Sequence, residues 1–226
     1  MVFDPASDVD RLLAQQVGWG PFDDNLLYTC WVLRAVMDDN LAALHPRPTR
    51  MRIDPGERSL AEDRASWSLW SAVGDGSWEH NNVAAFGSAG FVVAAHLGNA
   101  MLNRSRRARA QRDARPRWVP RSAGVGMVSQ WRVCFQSPDI SFSLYWREMD
   151  AVDLITPDCM EFRFPDSEGD NSAVRVHSPW AVLMFVLAAA SCFPGHPLLL
   201  SGNWLPRGFE ERCHIAGKTC PQVRAR

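Results

Sequence analysis

Cysteine and histidine side chains near the C-terminal end are the first candidates for chemistry, because thiolates and imidazoles bind soft metal ions and act as nucleophiles or bases. Five of these side chains are Cys192, His196, Cys213, His214 and Cys220. Structural zinc sites usually place their ligands in close pairs such as C-x-x-C, and this sequence contains no such pair. The spacing therefore predicts that the protein carries no zinc and no other cofactor.

The six cysteines are scattered, at positions 30, 134, 159, 192, 213 and 220. Cys134 and Cys159 fall inside patterns typical of strands, where a thiol serves as a small apolar side chain. Disulfide frameworks belong mostly to short secreted chains, whereas this chain has 226 residues. Residues 1–5 show neither a basic leader nor a long apolar region. These features favour reduced thiols in a cytoplasmic protein.

Other arrangements that could support enzyme chemistry are incomplete. Residues 87–90 (GSAG) and 124–126 (GVG) contain glycines, but neither matches a phosphate-binding loop or a nucleophile elbow. Asp150 and Asp153 lie three residues apart, and such pairs on a strand edge are usually solvated. The sequence therefore predicts no catalytic residue and favours a non-catalytic protein. The alternative is an enzyme or metal-dependent protein whose site is not evident from the sequence.

An arginine-rich run is the strongest candidate for binding. Its members are Arg104, Arg106, Arg107, Arg109 and Arg112. On an exposed helix these side chains would contact the phosphates of lipids or of nucleic acid. Nucleic acid is disfavoured, because the run lacks interleaved aromatic residues and the net charge of the chain is only −1. The run predicts a solvated helical face that associates weakly with anionic surfaces.

Residues 83–102, just before this run, contain no Asp, Glu, Lys or Arg. Their number fits a membrane span, but His96, Asn99 and three glycines fit it poorly. The alternative is a helix rich in Ala and Gly that packs on the rest of the protein, since small residues allow close approach. This second interpretation is favoured, and it predicts a helical insertion at about 80–115 with peripheral membrane contact left open.

Alternating apolar and polar side chains predict seven strands elsewhere. The predicted strands are 67–73, 123–129, 131–136, 141–145, 151–155, 159–164 and 172–177. Residues 179–192 are apolar nearly all round, which indicates a buried helix that begins after the cap Ser178. The residues expected in the core are Met160, Phe162, Phe164, Val174, Val176, Leu183 and Val186.

Helices at 7–17 and 23–44 are predicted before the strands, and a tail rich in Pro and Gly follows them. The expected organisation is an N-terminal helical segment at 1–48, a strand-rich domain at 49–193 and an irregular tail at 194–226.

Several short segments occur in an order that resembles small bacterial proteins of actinobacterial type with a pleckstrin-homology-like (PH-like) or GRAM-like domain. The segments are 54–58 (DPGER), 98–99 (GN), 116–118 (PRW), 124–133 (GVGMVSQWRV), 145–152 (YWREMDAV) and 178–181 (SPWA). Seven strands followed by one helix are also the layout of the PH-like superfold. The resemblance covers about residues 50–193 and includes no catalytic motif.

The resemblance implies an α+β fold: a PH-like antiparallel strand barrel or sandwich closed by a C-terminal helix, with N-terminal helices and a helical insertion. PH-like domains usually bind peptides, proteins or phosphoinositides. The implied function is therefore a non-catalytic binding or scaffold module that engages a protein partner or an anionic membrane surface.

Overall fold

The structure, a computed structural model, describes residues 15, 17–72, 115–165 and 171–223. The chain divides into two compact units, one of Met1–Trp67 with Arg121–Arg226 and one of Ser68–Pro120. Most of the helix predicted at 7–17 and of the insertion predicted at 80–115 lies outside the described residues. So do Arg104, Arg106, Arg107, Arg109 and Arg112.

Seven strands among the described residues form one antiparallel sheet, in the order β4-β3-β2-β1-β7-β6-β5. The strands are β1 (Ser59–Ser71), β2 (Arg117–Ser129), β3 (Arg132–Gln136), β4 (Ser141–Tyr145), β5 (Ala151–Thr156), β6 (Cys159–Pro165) and β7 (Asn171–His177). All seven predicted strands are therefore confirmed. Strand β1 starts eight residues before the predicted position 67, because the charged run Glu62, Asp63 and Arg64 conceals its alternation.

Strands β4 and β5 are consecutive in the chain but lie at opposite ends of the sheet order. Only residues 146–150 join them, including the 3-10 turn Trp146–Glu148. Such a link reaches about 20 Å when fully extended, whereas seven flat strands would span about 29 Å. The sheet must therefore curl until its two edges approach each other. An α+β fold with a curled antiparallel sheet is thus confirmed.

Four α-helices lie among the described residues: α1 (Pro21–Met37), α2 (Ala181–Cys192), α3 (Pro197–Ser201) and α4 (Phe209–Ile215). Helix α2 confirms the buried helix predicted after Ser178, and every residue from Ala181 to Ala189 is buried. Helix α1 packs on α2. None of the helices described here has both the length and the hydropathy to cross a membrane.

Helix α1 is shorter than the predicted 23–44. Asp23 supports its start, because the carboxylate accepts a hydrogen bond of 2.9 Å from the Gly20 N–H. The helix ends at Met37, and Asp39 then adopts a left-handed conformation with φ of 50°. The apolar residues beyond this point belong to a short 3-10 turn, Leu41–Ala43, and none of its residues is buried.

The paired strands β6 and β7 supply much of the predicted core. Phe162 lies opposite Val174 and Met160 opposite Val176, and none of the four is more than 7% exposed. Leu183 and Val186 of α2 are fully buried as well. Phe164 is only half-buried, so its predicted place in the core is wrong. It lies one residue before the end of β6, beyond the fully covered part of the strand.

The segment after residue 194, expected to be irregular, contains α3 and α4. Three of its large apolar residues, Trp204, Leu205 and Phe209, are buried, whereas Leu200 and Ile215 are exposed. Gly202 and Gly208 have φ of 66° and 73°, and they separate the two short helices. The density of Pro and Gly thus marks the helix boundaries, and the short apolar stretches between them still contribute to the core.

Candidate binding site on the β3–β4 hairpin

The β3–β4 hairpin has one apolar and one polar face. Phe135 and Phe142 stack with ring centroids 5.3 Å apart, and Phe142 also packs edge-on against Trp67 at 5.0 Å. Side chains alternate along a strand, so the residues between these aromatics face the other way. The cross-strand pairs on that polar face are Arg132 with Tyr145, Cys134 with Ser143, and Gln136 with Ser141.

Residues 50–54 lie beside this polar face, and a cleft of about 440 Å³ is lined by both. The segment is fixed at each end. The Arg50 N–H donates a 3.2 Å hydrogen bond to the Glu62 carboxylate. At the other end the Glu57 N–H donates to the Asp54 carbonyl at 2.9 Å, which closes a turn with Gly56 at φ of 80°. The positive φ at this third turn position favours glycine.

A buried ion pair joins the turn to the hairpin. Arg132 Nε and Nη2 donate to the two oxygens of Glu57 at 2.8 and 2.7 Å. Arg132 Nη1 donates to the hydroxyl groups of Tyr145 at 2.8 Å and Ser143 at 3.2 Å. The side chains of Arg132 and Glu57 are 10% and 0% exposed. Nearly all of the hydrogen-bonding capacity of this guanidinium is therefore used inside the protein.

The electrostatics keep both members of the pair charged. Burial alone would raise the pKa of Glu57, but hydrogen bonds from Arg132, the Asp54 N–H and Ser129 lower the pKa below its ordinary value. The hydrogen bond to Glu57 raises the pKa of Arg132 in turn. Asp54 lies next to this pair, with its carboxylate 3.4 Å from Arg132 Nη2 and 3.3 Å from the Tyr145 hydroxyl that donates to it.

Arg50 and Arg52 differ from Arg132 in that both are exposed. Neither guanidinium has a hydrogen bond, ion pair or ring contact to any residue in the described part of the chain. Arg132 and Asp54 line the same cleft as Arg50 and Arg52. The charge of Arg132 is balanced by Glu57. The lining residues together with Glu57 comprise three guanidinium groups and two carboxylates, and the guanidinium groups of Arg50 and Arg52 have no carboxylate partner among the described residues. The hydroxyl groups of Ser141 and Ser143 add neutral donors, so the cleft suits an anionic group.

A second cleft, of about 400 Å³, shares Asp54 with the first. Trp131, Tyr145 and Trp146 give it aromatic walls, and Trp131 is 42% exposed. Arg147 also lines it, with its guanidinium 5.4 Å from the centre of the Tyr145 ring. The two clefts together are called the β4 groove. The groove has an aromatic end and an arginine end, with Asp54 between them.

The cysteines and histidines singled out in the sequence do not form one site. Cys192 lines the aromatic end of the β4 groove, whereas Cys213 is buried elsewhere, in α4. His196 starts α3, where its Nδ1 accepts from the Leu198 N–H at 3.2 Å, and His214 is exposed. Among the residues that the structure describes, no three His, Cys, Asp or Glu side chains are arranged to hold a metal ion.

Sequence reasoning missed the residues of the β4 groove. The alternating polar residues Arg132, Cys134 and Gln136 on β3, and Ser141 and Ser143 on β4, could have indicated a polar outer face. No local signal marks Arg132 as buried, because its partner Glu57 lies 75 residues away in the chain.

No protein-family model matches the sequence, and a comparison with curated proteins gives no match. The geometry of the β4 groove is therefore the basis for assigning a function.

Proposed function

We propose that this chain is a non-catalytic binding or scaffold module whose partner is a protein with an acidic, extended segment that occupies the β4 groove. The observation that carries the proposal is the pair of exposed guanidinium groups of Arg50 and Arg52. Both are without a partner in the described chain, and both are mounted on a segment that is fixed at each end. Because the backbone of the segment is fixed, binding has to order only the two arginine side chains, which reduces the loss of conformational entropy.

The shape and chemistry of the groove favour a protein partner over a membrane. Each cleft, about 400 or 440 Å³, has room for one or two side chains rather than a flat array of headgroups. The aromatic end, with Trp131 exposed, suits an apolar side chain, and the arginine end suits carboxylates. The matching partner is a segment that combines a bulky apolar residue with one or more acidic residues.

An anionic membrane surface is the second candidate partner. It rests on the arginine run Arg104, Arg106, Arg107, Arg109 and Arg112, which the sequence predicts to be a solvated helical face. On either proposal the protein acts in the cytoplasm, and on the second it would be peripheral to the membrane.

Membership in the PH-like or GRAM-like class is part of the same proposal. The strand order β4-β3-β2-β1-β7-β6-β5, the curl of the sheet and the helix directly after β7 support it.

The alternative to a binding module is an enzyme or metal-dependent protein. The thiols in the groove argue against this alternative. Burial raises the pKa of both Cys134 and Cys192, and a thiol with a raised pKa is not an activated nucleophile.

Binding of a labelled peptide tests the proposal. The probe is a twelve-residue peptide of alternating Glu and Leu, and its control replaces every Glu by Gln. We expect saturable binding of the acidic peptide, weakened at least tenfold in the double variant Arg50→Glu, Arg52→Glu. A charge-assisted hydrogen bond contributes roughly 1.5–3 kcal/mol, so the loss of two such bonds can weaken binding by more than tenfold. Arg207→Glu, at an exposed arginine outside both clefts, is the matched control.

Equal binding of the Gln peptide, or an equal loss in Arg207→Glu, would contradict the proposed site. Vesicles of phosphatidylserine and phosphatidylcholine form a second arm of the experiment. Vesicle binding that disappears in the Arg50→Glu, Arg52→Glu variant, without peptide binding by the wild type, would instead assign the groove to a lipid surface.

A further inference from the structure

The two edge strands of the sheet, β4 and β5, differ in how their outer sides are protected. Strand β5 has a register shift between Leu154 and Thr156, and His196 Nε2 donates a 3.1 Å hydrogen bond to its Val152 carbonyl. Strand β4 pairs regularly with β3 along its whole length and contains neither a proline nor a charged residue. Bulges, prolines and charged side chains are the usual means of keeping an edge from pairing with another strand. The edge formed by β4 is therefore suited to pairing.

Two hydrogen bonds, one at each end of the β3–β4 hairpin, establish which backbone groups of β4 point outward. The Ser137 N–H donates to the Ile140 carbonyl at 2.9 Å, and the Trp146 N–H donates to the Trp131 carbonyl at 3.0 Å. Hydrogen-bonded and non-hydrogen-bonded residue pairs alternate along an antiparallel ladder. Counting from either end gives the same result. The residues whose N–H and C=O point away from β3 are Ser141, Ser143 and Tyr145.

These three residues also line the β4 groove. Ser141 and Ser143 lie at its arginine end and Tyr145 at its aromatic end. Ser141 is exposed and the other two are half-buried, and no strand in the described residues pairs with the outer side of β4. Because neighbouring strands lie roughly 4.8 Å apart, a strand added at this edge would run along the groove.

The alternation of side chains determines which partner residues meet the arginines. Residues directly opposite each other in an antiparallel pair carry their side chains on the same face of the sheet. A partner residue bonded to Ser141 or Ser143 therefore points toward the cleft that Arg50 and Arg52 line. The next partner residue points to the opposite face, where Phe142 packs. The edge thus matches a segment with acidic residues at every second position and apolar residues between them.

We propose that the acidic partner segment binds as an additional strand, antiparallel to β4, with carboxylates two residues apart over Arg50 and Arg52. This inference rests on the proposed function and specifies the partner of the same groove. The antiparallel direction is the slightly more stable one per residue. In this direction the N–H and C=O of each acidic residue bond to β4, whereas the backbone groups of the apolar residues point away from it.

Peptides with methylated backbone nitrogens test the proposal. One version of the twelve-residue Glu/Leu peptide carries N-methyl groups on its three central Glu residues, and its matched control carries them on its three central Leu residues. We expect methylation at Glu to weaken binding at least tenfold, because it removes the donors that bond to β4 and its bulk separates the strands. Methylation at Leu should change the Kd less than threefold.

Amide hydrogen exchange of the protein, followed residue by residue by NMR, provides the second measurement. In the free protein we expect the amides of Ser141, Ser143 and Tyr145 to exchange faster than those of Phe142 and Leu144, which bond to β3. The unmethylated peptide should slow the first three at least tenfold and leave the other two unchanged.

Equal weakening by the two methylated peptides, or stronger weakening by methylation at Leu, would overturn the added strand. The proposed function would stand in that case, provided that the unmethylated peptide binds and that binding depends on Arg50 and Arg52. No binding of the unmethylated peptide would overturn both. A dimer that forms without peptide and protects Ser141, Ser143 and Tyr145 from exchange would assign the edge to a second copy of this chain and also overturn the proposal.

Discussion

Arginines of the same site occupy two different environments. Arg132 is buried, makes two short hydrogen bonds to Glu57 and uses nearly all of its hydrogen-bonding capacity inside the protein. Arg50 and Arg52 are exposed, and their guanidinium groups have no partner in the described chain. The difference shows that the number of arginines in a cleft does not measure its capacity to bind anions. What counts is how many guanidinium groups remain after the internal carboxylates have been satisfied.

The contrast also separates stability from binding within one short segment. Glu57 anchors the segment to the hairpin through Arg132, while Arg50 and Arg52, a few residues earlier, face solvent. Substitutions at the anchor should therefore lower the free energy of unfolding, whereas substitutions at the exposed arginines should leave the stability unchanged and impair binding.

The largest effect is expected for Arg132→Met. Removing one partner of a buried ion pair leaves the other charge uncompensated and typically costs about 3–5 kcal/mol. Urea denaturation should show a loss of this size in the free energy of unfolding. The double variant Arg132→Met, Glu57→Met should recover most of it, since a buried pair can often be replaced by apolar residues at little cost. A double variant as unstable as the sum of both single ones would refute this account.

A loss of similar size, about 3–5 kcal/mol, is expected for Phe162→Ala, because this fully buried ring leaves a cavity. Phe164→Ala should cost clearly less, since its ring is half-buried. Measured in the same denaturation experiment, the two phenylalanine variants provide a reference for the loss in the free energy of unfolding of Arg132→Met. Equal losses at the two phenylalanines would show that the difference in burial between them is not real.

Acid should weaken the anchor. The pKa of Glu57 is lower in the folded protein than its ordinary value of 4.5, so the pair stabilises the fold above that pH. The stabilisation is lost as the pH falls through the folded-state pKa. Unfolding measured from pH 7 to pH 3 should therefore show wild type losing stability relative to the Arg132→Met, Glu57→Met variant below about pH 4.5. A difference in stability between the two proteins that is constant over this range would contradict a charged Glu57.

The smallest change in stability is expected for Arg50→Glu, Arg52→Glu. Exposed substitutions away from structural contacts usually change the free energy of unfolding by no more than about 0.5 kcal/mol. Thermal and urea denaturation should match wild type within this range. A loss above 1.5 kcal/mol would mean that these arginines have a structural role.

The sequence predicted the elements better than the contacts between them. Alternation in β6 and β7 and the apolar run of α2 are local patterns, so they are visible in any short window. The buried state of Arg132 depends on Glu57, and the ion pair of Arg212 with Asp23 joins residues 189 positions apart in the chain. Such pairs are decided by tertiary structure, and no local pattern marks them.

The central claim is that Arg50 and Arg52 bind the acidic segment. It is tested most directly by an NMR titration with the acidic Glu/Leu peptide, in which the side-chain Nε–Hε signals of individual arginines are recorded. We expect the signals of Arg50 and Arg52 to shift and saturate together, while those of Arg132 and Arg207 stay in place. Shifts at Arg132 or Arg207 of the same size, or none at Arg50 and Arg52 while the peptide binds, would contradict it.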